Sequence, residues 1–201
     1  MTPEIRFGRE DILNAALDIA NREGLDKLSV RRIAGELGCS TTPVYFNFRS
    51  MPELETSLIG RVIDILVSFT EKKYTDNLFL NIGVGIVFFA RQYRKLYRIL
   101  FLESDRFKEM LERFHDSTDQ QMKKDQLSQL VSDEERKDIL GKMWIFTHGL
   151  ATLISTGYLE NESDEFIINM LGRTGGDVIS STIYQKDPEL FKKLLDKEWN
   201  K

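Results

Sequence analysis

One cysteine, four prolines and two histidines in 201 residues each remove a class of explanation. The lone thiol, Cys39, excludes an internal disulfide and suits a reducing compartment, so a disulfide-stapled secreted scaffold is not expected. It sits at a turn, where a small packed residue is the expectation rather than a redox sensor. Scarce proline leaves long stretches free to be helical. The histidines, His115 and His148, form no cluster with metal-ligand spacing. His115 and Asp119 stand i,i+4, but one imidazole and one carboxylate on a charged helix read as a solvated face. Neither a glycine-rich phosphate loop nor a nucleophile motif occurs. The expectation is no enzyme, no metal and no cofactor. The longest nearly apolar run, Leu78 to Ala90, is interrupted by Asn81 and is too short to span a bilayer as a helix. The first residues, Met1-Thr2-Pro3-Glu4-Ile5-Arg6, lack the apolar core of a signal peptide. A cytoplasmic protein with no membrane partner is expected.

What the chain does hold is helical periodicity. Its content, 41% hydrophobic and 30% charged, allows one well-buried domain or two small ones. No strand-like alternation competes, so the fold class is all-α. A first helix runs from about Arg9 to Glu23, with Ile12, Ala15, Ala16, Ile19 and Ala20 as its buried stripe and Gly24 as its stop. Ser50 caps a long helix from about Pro52 to Tyr74, with Leu54, Leu58, Val62, Ile65, Leu66 and Phe69 in a continuous stripe. Leu78 to Gln92 is apolar on nearly all sides and should be central. Further helices are predicted over Tyr93 to Glu103, over Phe107 to about Leu127 with Met110, Leu111, Phe114 and Met122 inward, over 133–158, over 164–184, and over Glu189 to Trp199.

The densest information lies between Leu28 and Met51. Ser29 is a good N-cap, its oxygen accepting an orphan backbone N–H. Val30, Ile33, Ala34 and Leu37 then share one face, and Gly38 supplies a left-handed residue at the helix end. Ser40 is expected to cap a second helix, with Val44 and Phe48 i,i+4 on its buried side. The other side carries Thr41, Thr42, Tyr45 and Asn47, groups that reach bases and phosphates. Two short helices across a fixed turn is the geometry that places a recognition helix in the major groove.

These residues, together with Ile12-Leu13-Asn14-Ala15-Ala16-Leu17, Gly24-Leu25 and Glu53-Leu54, resemble the DNA-binding domain of the TetR (tetracycline repressor) family of bacterial transcriptional regulators. The run Ser40-x-x-x-Val44-Tyr45-x-x-Phe48 is its most specific part, and the resemblance covers roughly residues 8 to 55. It implies a three-helix helix-turn-helix domain over 1–50 and a larger helical domain over 51–201 for ligand binding and dimerisation. DNA contacts are expected from Ser29, Arg31, Ser40, Thr41, Thr42, Tyr45, Phe46, Asn47 and Arg49. For Tyr45 and Phe46 the alternative is that they pack the small domain. Many relatives carry a Lys where this chain has Met51, and Met cannot grip a phosphate; Arg49 is the candidate substitute.

The resemblance also implies a small-molecule effector among the aromatic helices of the second domain. Phe89, Tyr93, Tyr97, Phe101, Phe114, Trp144 and His148 are the candidates, with Trp144 and His148 i,i+4 on one face. Pockets of this kind are mostly apolar with a few orienting polar groups. The long helices 133–158 and 164–184 are the expected homodimer interface, as in relatives whose paired helices form a four-helix bundle. A two-fold dimer suits a near-palindromic operator. Charge fits a DNA-facing end. The chain is −4 overall, yet Lys27, Arg31, Arg32 and Arg49 face only Glu36 between residues 27 and 49. The function expected is a ligand-released dimeric repressor. The alternative is a helical ligand-binding or scaffold protein that has lost DNA affinity.

Overall fold

The computed structural model describes residues 7–103 and 131–189, with Phe107, Glu109, Glu112, Phe114, Thr118, Gln120, Lys123 and Lys192. Among these, the chain forms eight α-helices and no strand: α1 Arg9–Glu23, α2 Val30–Leu37, α3 Thr42–Asn47, α4 Met51–Thr70, α5 Leu78–Gln92, α6 Arg94–Phe101, α7 Asp133–Ser155 and α8 Asp164–Lys186. The helix expected over Phe107 to Leu127, with Met110, Leu111, His115, Asp119 and Met122, and the last helix to Trp199 lie almost wholly outside the described residues.

Local chemistry sets the helix ends. Ser29 caps α2, its hydroxyl accepting from the Arg32 N–H at 3.3 Å, and Gly38 ends α2 at φ +65°, a region that only glycine enters without strain. Ser40 does not cap the second helix as expected. Thr41 occupies that position with helical backbone and no side-chain bond. Pro43, second in the helix, removes one of the two N–H groups that a cap at Thr41 could bind. The turn is closed instead by Val44 and Tyr45 N–H groups donating to the Thr41 carbonyl, each at 3.2 Å.

Helix α4 stops at Thr70, four residues short of the expected Tyr74, because Asn81 organises the following loop. Its Oδ1 accepts from Tyr74 N at 3.2 Å, Thr75 N at 2.7 Å and Thr75 Oγ1 at 2.9 Å, and its Nδ2 donates to the Thr75 carbonyl at 3.0 Å. The polar interruption in the apolar run is thus a buried, fully used loop anchor. Beyond that loop α5 crosses the end of α4 so closely that a Cβ on Gly85 would stand 2.4 Å from the Phe69 carbonyl oxygen. Only glycine fits there.

Helix α5 is the hub, as its all-round apolarity predicts: it packs on α4, α6, α7 and α8, with Ile82, Val84, Ile86, Val87, Phe88, Phe89 and Ala90 buried. Tyr93 breaks the chain between α5 and α6 at φ −123°, ψ 57°, so α6 begins one residue later than expected. Helix α7 opens with a capping box between Ser132 and Glu135 and ends at Ser155, before Gly157 at φ +73°. The return loop is held by two arginines. Arg94 donates to the Ile154 carbonyl at 2.9 Å and grips both Glu162 oxygens at 2.8 and 2.6 Å. Arg91 reaches the Glu162 carbonyl and Asp164, the latter at 2.7 Å. One continuous apolar core runs from Ile12 in α1 to Leu171 in α8. No helix among the described residues is long and apolar enough to cross a membrane.

Candidate nucleic-acid interface and effector region

The helix-turn-helix consists of α2 and α3, braced by α1. Val44 and Phe48 are buried, at 1% and 2% exposure, which turns the opposite side of α3 outward. There Tyr45 is 62% and Phe46 89% exposed. The alternative that these rings pack the small domain is therefore overturned within one chain: neither has a core to enter. Thr42, Ser40, Arg31 and Arg49 are also exposed, while Ser29 and Thr41 are half-buried. Met51 leans on the core at the start of α4.

Pairing thins the local positive charge that the sequence suggests. Arg32 is bound to Glu23, and Lys27 lies 3.5 Å from Asp26. Glu36 is itself held by Arg22 through two bonds of 2.9 Å, a bidentate grip that keeps its carboxyl below the usual range. Arg31 makes no ion pair among the described residues. Arg31 lies in the first turn of α2, and Arg49, also exposed, likewise makes no ion pair among the described residues.

Asn47 is used differently from expectation. Its Nδ2 donates to the Pro43 carbonyl at 2.9 Å and to the Phe7 carbonyl at 3.3 Å, leaving Oδ1 as its spare polar atom. Sequence reasoning passed over Arg9 altogether. Its guanidinium bonds the Asn47 carbonyl at 3.0 Å, Glu53 at 3.4 Å and Ser57 Oγ at 2.7 Å, and lies 4.1 Å from the Phe48 ring centre. No local pattern signals this, because the partners are 38 to 48 residues away.

The seven aromatic candidates divide into two groups. Phe89 and Tyr93 turn toward α4: Phe89 meets Phe69 edge-on at 5.9 Å and Tyr93 at 5.5 Å. The other five gather between α6 and α7. His148 lies 3.8 Å from Trp144, 4.5 Å from Phe101 and 5.9 Å from Tyr97, centre to centre, and Phe114 lies 6.3 Å from Trp144. Tyr97 is fully buried, and burial pushes its hydroxyl up to about 12, so it remains protonated. Its oxygen stands 2.8 Å from His148 Nδ1 and donates to the His148 carbonyl at 3.3 Å. No group of three or more metal-ligating side chains occurs among the described residues.

Helix α6 joins this cluster to the helix-turn-helix. Lys95 Nζ donates to the Arg22 carbonyl at 2.5 Å, a last-turn carbonyl of α1 without a helical partner. Arg22 in turn holds Glu36 of α2. A continuous set of contacts therefore runs from His148 through α6 and α1 to α2.

Residues 12–55 match the family model for bacterial regulatory proteins of the tetR family. Among solved structures, the chain is similar to a TetR-family transcriptional regulator from Streptomyces coelicolor, with 18% identity, coverage of 96% of this chain and 99% of that one, and a TM-score of 0.62. A TetR-like regulator from Rhodococcus sp. RHA1 gives 17%, 83%, 94% and 0.56 in the same order. AmtR of Mycobacterium smegmatis gives 18%, 92%, 96% and 0.51. No curated protein sequence matches. Residues 12–55 thus carry a domain of the tetR-family regulatory type, and the chain shares its all-helical fold with TetR-family regulators along most of its length.

Proposed function

We propose that the protein is a dimeric repressor that binds a near-palindromic operator and releases it when a small molecule enters the α6–α7 region. The observation that carries the DNA part is the exposure of Tyr45 and Phe46 on α3, with Arg31 exposed on the preceding helix α2. Large rings held out of the core and an exposed cation on the same two-helix motif are suited to phosphate and to the methyl groups of thymine. Tyr45, Arg31 and Arg49 serve the backbone; Thr41, Thr42 and Phe46 read base edges; Ser29 and Ser40 complete the contact, while Asn47 is turned to internal bonds. The boundary between reading head and regulatory part falls near residue 50, at the cap of α4.

The effector part rests on the five-aromatic cluster and its connection to α1. The cluster offers flat apolar faces with one hydroxyl and one imidazole, the chemistry of an uncharged, partly aromatic ligand. A ligand that separates Tyr97 from His148 moves α6, and α6 carries the Lys95 contact to α1. Release then follows as a population shift: the ligand binds better to the state in which the two recognition helices are not about 34 Å apart. Dimerisation is supported by exposed Ile145, Leu153, Met170 and Tyr184 on α7 and α8, more apolar surface than a lone chain leaves open.

Arg31→Ala tests the reading. It should keep the fold and weaken binding to a duplex selected by the wild type from a random pool, lowering the salt slope by about one. Unchanged affinity with an intact fold would favour a helical scaffold. A reporter under the selected site separates repression from activation.

A further inference from the structure

We propose that Arg9 aims the recognition helix: together with Asn47 it fixes the tilt of α3, and so decides which bases Thr42 and Phe46 reach, without binding DNA itself. The proposal rests on the DNA-binding reading above.

Helix α3 cannot hold its own direction. It has six residues, far below the length at which a helix stands alone in water. Its first turn has no side-chain cap, and Pro43 removes one of its N–H groups. Val44 and Phe48 anchor one side, but Phe48 already lies in extended backbone beyond the last turn, at φ −135° and ψ 123°. Two apolar anchors set how deep the helix sits and leave its tilt open.

The missing constraint comes from the start of α1. Nη1 of Arg9 donates to the Asn47 carbonyl and to Glu53, while Nη2 donates to Ser57 Oγ. The first of these is the terminal carbonyl of α3, an orphan acceptor where a cation also favours the helix dipole. The guanidinium plane rests on the Phe48 ring. In return, Asn47 Nδ2 donates to the Phe7 carbonyl, just ahead of α1. The tie therefore runs both ways between the start of α1 and the end of α3, and α4 is its third point. Glu53 shares it, because its other oxygen accepts the Arg49 N–H at 2.9 Å. Only a planar fork serves Asn47, Glu53 and Ser57 at once; a lysine ammonium is a single point. Three of the five N–H donors of Arg9 already serve protein acceptors, which suits a positioning residue rather than a phosphate ligand. Base-edge hydrogen bonds tolerate only a few tenths of an ångström, so a small loss of tilt is felt as lost discrimination.

The test uses the full chain with Arg9→Met, Arg9→Lys and Asn47→Ala. Affinity for a duplex selected by the wild type and for an unrelated duplex is measured across a salt series. Amide hydrogen exchange is followed in segments 42–48 and 12–20. Arg9→Met should lose about tenfold in affinity for the selected duplex, the size expected for one or two charge-assisted bonds. Affinity for the unrelated duplex and the salt slope should not change, and exchange should accelerate in 42–48 but not in 12–20. Asn47→Ala should repeat this pattern, and Arg9→Lys should recover less than half of the lost discrimination. A salt slope lowered by about one on both duplexes would make Arg9 a phosphate ligand and overturn the proposal. So would an Asn47→Ala protein altered at a single base pair. The exchange arm needs no DNA: protection lost in 42–48 alone supports the clamp even if the chain selects no duplex, and unchanged protection sinks it either way.

Discussion

On α3, Tyr45 and Phe46 stand exposed among hydroxyls and an arginine; on α7 and α8, Ile145, Leu153, Met170 and Tyr184 stand exposed among glycines. Exposed large apolar side chains are costly in water in both places, yet their neighbours point to different partners. Beside α3, Arg31 and Arg49 suit an anionic surface that also offers flat methyl-bearing bases. On α7, Gly141, Ile145, Gly149 and Leu153 follow one another at four-residue steps, which places them in one row of the helix. A Cβ at Gly141, Gly149 or Gly176 would meet no other atom within 4 Å. Such a row leaves room for a second helix beside Ile145, whereas the rings on α3 share their motif with exposed cations.

The comparison can be broken most forcefully at Ile145, 75% exposed. If this face meets a second copy, Ile145→Glu places two like charges near the two-fold axis. Self-association measured by sedimentation should weaken by roughly a hundredfold or more, the loss expected when a central anchor becomes an unpaired charge. The melting temperature of the separated chain should change little. An unchanged dimer, or a chain monomeric from the start, would remove the distinction between the two patches.

The α3 side is sharpened by Tyr45→Ala and Phe46→Ala. Each should cost about tenfold in affinity for a selected duplex while leaving stability and self-association untouched, since neither ring is packed. Tyr45→Ala should act on all duplexes alike. Phe46→Ala should act mainly where the thymine methyl is present, and little on duplexes in which that thymine is replaced by uracil or cytosine. Loss of stability in either variant would mean that the ring is structural after all.

A smaller effect concerns the frame of the second patch. Lys186 Nζ at the end of α8 donates to Glu135 at the start of α7 at 2.9 Å. Glu135 also accepts the Ser132 N–H at 2.6 Å. The Ser132 backbone bond and the Lys186 ammonium hold this carboxyl down at about 2. A carboxylate depressed below its unfolded value stabilises the fold above about pH 4.5, and that contribution disappears as pH falls toward 2. Glu135→Gln should therefore lower stability slightly at neutral pH and flatten its decline between pH 5 and 2, as followed by denaturant midpoints. An acid profile identical to wild type would contradict the assignment.

The reading head was legible because its signals are local. Ser29, Gly38 and the Val44/Phe48 spacing each act within a few residues, and a turn chemistry repeated that closely leaves few alternatives. The local departure is the cap, which falls at Thr41 rather than Ser40 beside a proline with no N–H to give. The rest needed topology. Arg9 meets Asn47, Glu53 and Ser57 only once α1, α3 and α4 are folded together. Asn81 looks like a blemish in an apolar helix until the loop it ties is seen. The aromatic candidates of the second half were recognisable as a set, but periodicity cannot tell that Phe89 and Tyr93 turn to α4 while Tyr97, Phe101, Phe114, Trp144 and His148 gather between α6 and α7.

The most direct measurement is selection of bound duplexes from a random pool by the full chain, followed by a salt titration of the winner and the stoichiometry of the complex. The account predicts a near-palindromic site with half-sites about one helical turn apart, bound by two chains, with affinity falling steeply in salt. A folded, self-associated protein that enriches no sequence, with or without candidate aromatic ligands present, would contradict it.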